Sequence, residues 1–200
     1  MNLFLISISA GTAVADLCDQ HVGKMMIELA QMLYCAHHII NPSSLEEMLT
    51  VYNASLGTTP LKAYRKLGKS HANHPMSIWI RYHPYHYNWA CQYGIIMGKE
   101  WLLRYGKRHK TMAQLEFLAH AGYPQIPLGY QPEQVKKEAV LATAGIPEVF
   151  FYFPLCMPPE YYVQNDHGKF NAEESYRNYY KNKPFAMSYN HSDAPKWLKA

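Results

Sequence analysis

Ala15–Ile40 reads ADLCDQHVGKMMIELAQMLYCAHHII. At 3.6 residues per turn, Val22, Met25, Met26, Leu29, Met32, Leu33 and Ala36 fall on one broad apolar stripe, which predicts a long helix with a buried face. At the edge of that stripe His21, Lys24, Glu28 and Gln31 recur at i, i+3, i+4 spacing and stack on one line of the helix surface. An imidazole, an ammonium, a carboxylate and an amide on one line describe either a solvated face or the edge of a cleft. The helix should stop at Asn41-Pro42, where proline removes a backbone donor.

Before this helix, Leu3–Ile8 reads as a short strand or a buried extended arm, and Ser9–Thr12 as a turn. After it, Ser44 with Glu47 forms a capping-box pattern for a helix over Leu45–Ala54. Pro60 opens a short helix through Leu67, and Asn73-His74-Pro75 starts another that contains Trp79. Pro84 predicts a break near His83. A long helix over Tyr85–Arg104, with Trp89, Ile96 and Leu103 among its apolar residues, ends at Gly106. Thr111 and Gln114 give a second capping box, with Gly122 as the stop. Pro132–Ala144 has weak helical character, and Val149–Phe153 is an aromatic strand candidate between prolines. Ala172–Lys181 reads as a short helix, followed by an extended tail. The chain is thus expected to be mainly α: residues 1–200 as one compact helical domain, with a short extended segment at the start and an extended tail at the end.

Two hundred residues with 48% hydrophobic content suffice to bury a core in one domain, which argues against disorder. The net charge is +4, and Lys99–Lys110 alone carries that excess. The four cysteines are scattered and form no C-x-x-C pair, which suits small buried hydrophobes in a reducing compartment. Leu3–Ile8 is too short for a membrane span and lacks the basic flank of a signal peptide. A soluble, cytoplasmic protein without membrane contact is expected.

Three features besides the helix line carry candidate chemistry. The basic turn containing Arg104, Lys107, Arg108 and Lys110 is either a phosphate clamp or a solvated helix end favoured by the dipole. Tyr176, Arg177, Tyr179 and Tyr180 interleave aromatics with cations, which suits stacking on unpaired bases. The tyrosines also lie at i, i+3, i+4, which suits burial against a core. The histidine pairs His37-His38, His71/His74 and His83/His86 lack the cysteine or acidic spacing of a standard zinc site, so no metal ligand is assigned.

Asp19-Gln20-His21 followed seven residues later by Glu28, then Asn73-His74-Pro75 and Ile78-Trp79, and finally Tyr176–Lys181, resembles the pyrimidine-dimer DNA glycosylases of the endonuclease V type, in their phage and bacterial branches. The likeness touches about half the chain in short motifs. It implies that Glu28 is the catalytic acid/base, stabilising the cationic sugar and helping to open the deoxyribose ring. It implies that His21 holds the DNA backbone, that His74 and Arg81 line the same cleft, and that the tail aromatics support bent DNA; Gln31, on the same helix line as His21, is a further DNA-binding candidate. It also implies an amine nucleophile that attacks C1′, forms a Schiff base and cuts the strand by β-elimination. In the phage members this is the N-terminal α-amine, and such an amine titrates near pH ~8. Those members expose a small residue followed by arginine, whereas this chain begins Met1-Asn2-Leu3. Two amines therefore stand as candidates: that of Met1, if Leu3–Ile8 carries it back to Glu28, and that of Lys24, one turn from Glu28.

The expected function is a DNA glycosylase, with or without AP-lyase activity, acting as a monomer without cofactor or metal on double-stranded DNA with a damaged or modified pyrimidine. In a viral setting it would act in the host cytoplasm or nucleoid. A virus-specific modified pyrimidine is an alternative substrate. A nucleic-acid-binding protein with an inactive site and a metal-dependent hydrolase using the histidine pairs are alternative functions.

Overall fold

The computed structural model describes residues 2–56, 59–132 and 139–199, and these are mainly helical. The helices are α1 (Ala10–Ala15), α2 (Asp19–Ile40), α3 (Pro42–Leu56), α4 (Lys69–Ala72), α5 (Pro75–Tyr82), α6 (Pro84–Tyr105), α7 (Met112–Ala121), α8 (Ala172–Lys181) and α9 (Lys196–Lys199). Two short strands, β1 (Leu141–Ala142) and β2 (Phe153–Pro154), pair antiparallel, Leu141 with Pro154 and Ala142 with Phe153.

The apolar stripe organises this arrangement. Every residue of the stripe is buried in α2, and α3, α5, α6 and α7 all pack on that helix. The approach of α6 depends on Gly23, where a Cβ would collide with the Trp101 ring. α5 starts at Pro75 behind the His74 cap, and the chain breaks at His83 before Pro84 opens α6. Gly106, at φ 64°, closes α6 in the left-handed region that glycine adopts without cost. Trp79 stacks on His86 with ring centroids 4.2 Å apart, and Phe153 closes on its edge.

Leu3–Ile6 is the arm and not a strand. Four consecutive side chains are buried, so its environment is core on all sides. Side chains satisfy its backbone: the Tyr93 hydroxyl donates to the Phe4 carbonyl at 3.2 Å, and Arg177 Nε donates to the Ile6 carbonyl at 2.8 Å.

Several expected elements differ for identifiable reasons. Ser9 caps a short helix, α1, where a turn was expected. α3 starts at Pro42 because Asn41 Oδ1 accepts from Ser44 N, so Asn41 takes the capping role read for Ser44. The segment 60–67 is irregular and not helical, since Asn53 exchanges two side-chain hydrogen bonds with the Leu61 backbone at 2.7 and 2.9 Å and Gln114 Nε2 donates to the Lys62 carbonyl. Thr111 makes no side-chain cap, and its hydroxyl meets that of Tyr64 at 3.2 Å. Leu103 is exposed on α6. Within the weakly helical stretch 132–144, residues 133–138 lie outside the described residues, and Leu141–Ala142 is strand. The aromatic segment opens as a 3-10 turn over Glu148–Phe150 and pairs only from Phe153.

The tail folds back onto the start of α2. Asp19 N donates to the Ser188 carbonyl at 2.8 Å, and Gln20 brackets the tail through Ala186 O and Ser188 N. Trp197 Nε1 donates to Asp16 Oδ2 at 2.7 Å.

Candidate functional site

The polar line along α2 faces a groove. Glu28 keeps 17% of its side-chain exposure, and Lys24 Nζ lies 3.7 Å from its Oε1 while remaining 67% exposed. The buried arm delivers the beginning of the chain to the same carboxylate: Asn2 N donates to Glu28 Oε2 at 3.2 Å. Asn2 is fixed there by its own side chain, which donates to the Cys156 carbonyl at 2.9 Å and lies 3.0 Å from the Tyr176 hydroxyl. Met1, one of the two amine candidates, lies outside the described residues.

Three cavities follow one another along α2. The largest, about 900 Å³, is lined by Ile27, Glu28 and Gln31 on the helix side and by Tyr64, Arg65, Lys66, Leu67, Gly68 and His71 opposite. A smaller one of about 250 Å³ shares Glu28 and is lined by Asn2, Phe4, His21, Lys24, Met25, His74, Cys156, Tyr179 and Lys183. A third, about 490 Å³, shares Ile27 and Tyr64 with the first and is walled by Trp101 and by Lys107–Thr111. Glu28 therefore stands where the large and the small cavity meet.

His21 and His74 are neutral at physiological pH. Burial pushes His21 down to about 4, aided by the Lys183 and Lys24 charges. Burial likewise lowers His74 to about 4. His21 Nδ1 lies 2.8 Å from the Tyr180 hydroxyl, which also accepts from Cys18 N at 2.8 Å. A neutral ring with Nδ1 accepting the hydroxyl proton satisfies both contacts. His74 Nδ1 accepts from Met76 N as the cap of α5.

Glu28, Lys24, His21, Gln31 and His74 therefore come together around one junction. Tyr179 joins them, and Lys107, Arg108 and Lys110 flank the adjoining cavity, with Arg108 paired to Glu116. Other residues expected at the site are elsewhere. Arg104 is no phosphate clamp: its side chain is 1% exposed, it pairs with Asp19 at 3.2 Å and Glu100 at 2.7 Å, and it donates to the Leu17 and Ala15 carbonyls. Arg81 is buried and donates to the Ala72 carbonyl at 2.5 Å, holding the corner between α4 and α5. Tyr176 and Tyr180 are wholly buried, as i, i+4 neighbours on a core-facing helix must be. Arg177 ties the arm to α8, pairing with Glu173 at 2.7 Å and lying over the Trp197 ring.

Arg65, Lys66, Asn2 and Lys183 also line the cavities. Arg65-Lys66 is visible as a basic pair in the sequence, but the segment read as a helix. Nothing in the sequence marks Asn2 or Lys183. Among the described residues no three His, Cys, Asp or Glu side chains gather as a metal-holding group. The histidine pairs serve packing and capping: His37 bonds the Tyr87 hydroxyl, His38 the Tyr64 carbonyl, and His86 the Trp79 and Phe150 carbonyls. Among the described residues no helix is long and apolar enough to cross a membrane. Neither a family model nor a curated protein nor a solved structure matches this chain.

Proposed function

We propose that the protein is a DNA N-glycosylase acting on a damaged or modified pyrimidine, with strand cleavage through an amine-linked intermediate. The observation that carries the proposal is the 3.2 Å bond from Asn2 N to Glu28 at the junction of a 900 Å³ cleft with a smaller polar pocket. A carboxylate and a nearby amine beside an open cavity are what base excision through a Schiff base requires. The Met1 amine is the first candidate nucleophile, carried by the resemblance, and Met1 lies outside the described residues. Lys24 Nζ, 3.7 Å from Glu28 Oε1, is the second amine within reach.

In this mechanism the target nucleotide leaves the stack, at a cost that is lowest for a damaged site, and enters the large cleft. The neutral amine attacks C1′. The bond from C1′ to the base breaks, and the base leaves with its bonding electrons and takes up a proton. Glu28 accepts the proton released by the amine and faces the positive charge on the sugar. Ring opening gives the imine, loss of a C2′ proton expels the 3′ phosphate, and water then frees the enzyme. Arg65, Lys66, Lys107 and Lys110 supply sequence-independent attraction for the backbone.

The test pairs borohydride with a panel of duplexes carrying a thymine dimer or modified pyrimidines. Reduction should trap a covalent adduct, and peptide mass spectrometry should place it on the first residue or on Lys24. Glu28→Gln should slow base release by about 10²-fold or more with unchanged circular dichroism. Unaltered release by Glu28→Gln refutes the assignment of that residue. The cationic lining also fits a protein that binds DNA without acting on it, and duplex binding with neither adduct nor base release across the panel selects that reading. Loss of activity in chelator selects the metal-dependent hydrolase.

A further inference from the structure

The small cavity beside Glu28 has a chemistry of its own. It holds two lysines, and they are kept in different ways. Lys24 is tied to Glu28 across one helical turn. Lys183, just beyond the end of α8, sets its Nζ 3.9 Å from the centre of the Tyr179 ring and 4.8 Å from that of Phe4. Among the described residues no carboxylate lies within ion-pair distance of Lys183 Nζ. Aromatic faces attract an ammonium and fix its position, yet they accept no proton from it and leave its three donors unspent. The imidazoles of His21 and His74 are neutral near pH 7 and add no charge to that of Glu28 and the two lysines. The described residues thus leave the pocket with one net positive charge and an aimed, unshared ammonium. At about 250 Å³ it is small for a nucleoside and sufficient for a tetrahedral oxyanion.

We infer that this pocket is a phosphate subsite in which Lys183, held by Tyr179 and Phe4, grips one phosphate group next to Glu28 and beside Lys24. Lys183 touches the bound anion, and Tyr179 positions Lys183. A phosphodiester of DNA and a free phosphate present the same oxygens to the Lys183 ammonium. That the phosphate belongs to DNA rests on the function proposed above, whereas the anion pocket itself does not.

Two probes separate these sources in the full chain: a 20-base-pair duplex with one tetrahydrofuran abasic site, followed by fluorescence anisotropy between 50 and 200 mM salt, and inorganic pyrophosphate, followed by calorimetry. Lys183→Met should weaken duplex binding about tenfold and lower the slope of log affinity against log salt by about 0.9, with the thermal midpoint unchanged. Lys183→Arg should restore most of the affinity. Tyr179→Leu, which frees the ammonium from its ring, should act in the same direction with a smaller effect, and it decides the question if Lys183→Met fails to fold. Pyrophosphate binding that depends on Lys183, with duplex binding that does not, assigns the pocket to free phosphate and overturns the DNA source. Wild-type affinity and salt slope for both probes in Lys183→Met overturn the subsite, as does a wild-type protein that binds neither. Base release is scored separately: its absence removes the glycosylase reading, and the pocket stands if binding still depends on Lys183.

Discussion

Arg104 and the cations that follow it in sequence have opposite surroundings. Arg104 closes the last turn of α6 and is buried in a knot: two carbonyls at the end of α1 and beyond, Glu100 on its own helix and Asp19 at the start of α2. Asp19 passes the tie on to the tail through Ser188 and Asn190. Lys107 and Lys110, three and six residues later, stay exposed on the wall of a cavity, and among the described residues no carboxylate pairs with either. The same charge thus serves the fold in one place and is left available in the other. The neighbours decide which. A guanidinium fork can satisfy its donors on carbonyls and carboxylates fixed by three helices. An ammonium at a solvated turn meets no such set of acceptors.

The largest effect that sharpens this contrast is the response of the buried region to acid. Burial holds His21, His37 and His86 down to about 4, whereas an unfolded histidine titrates near 6.5. Between those values the unfolded chain binds more protons than the folded one, so stability falls as pH falls from about 6.5 toward 4. By pH ~5.5 each of these three buried rings costs about 1.4 kcal/mol, or about 4 kcal/mol together, and the half-buried His74 adds a smaller cost in the same direction. Urea unfolding at pH 7.5 and 5.5 should show the midpoint drop, and a flat profile would mean that these rings are not held neutral.

Next in size is Arg104→Ala. Removing one member of a buried ion network leaves Asp19 and Glu100 short of a partner, and about 3 kcal/mol of unfolding free energy should be lost. Arg104→Lys should recover only part, since one ammonium cannot reach both carbonyls and both carboxylates. A loss below about 1 kcal/mol, in the range of surface pairs, would place Arg104 with the groove cations and erase the distinction.

The sequence carried the helical frame because its signals are local. The stripe from Val22 to Ala36, the prolines at 42, 75 and 84, and Gly106 each act on the backbone within one turn, and each took effect where it stands. What periodicity misread depended on distant partners. The 60–67 segment is not helical because side chains outside it, those of Asn53 on α3 and of the distant Gln114, satisfy its backbone. Arg104 and Arg81 appear as cations in the sequence and as donors to carbonyls in the fold. Around the site the helix line identified Glu28, Lys24, His21 and Gln31, whose spacing is local. Asn2 and Lys183 reach Glu28's neighbourhood only through the threaded arm and the end of α8, which no short pattern encodes.

The smallest expected effect on stability tests the other side of the contrast. Arg65 and Lys66 project from the irregular segment opposite Glu28, both exposed and both lining the large cavity. Their segment is held by Asn53, Gln114 and His38, and all three hold its main chain. Replacing both side chains with alanine removes no described support, so the unfolding free energy should change by no more than about 0.5 kcal/mol. Duplex binding should respond nonetheless. If each cation displaces one condensed counterion, the slope of log affinity against log salt should fall by about 2, with equal loss on damaged and undamaged duplexes, because phosphate contacts carry no sequence information. Unfolding measured in parallel with anisotropy then gives a clear reading. A protein equally stable and less salt-sensitive places these cations on the DNA backbone. A destabilised protein with an unchanged slope would make them a second knot like that of Arg104, and the groove would lose its wall of available charge.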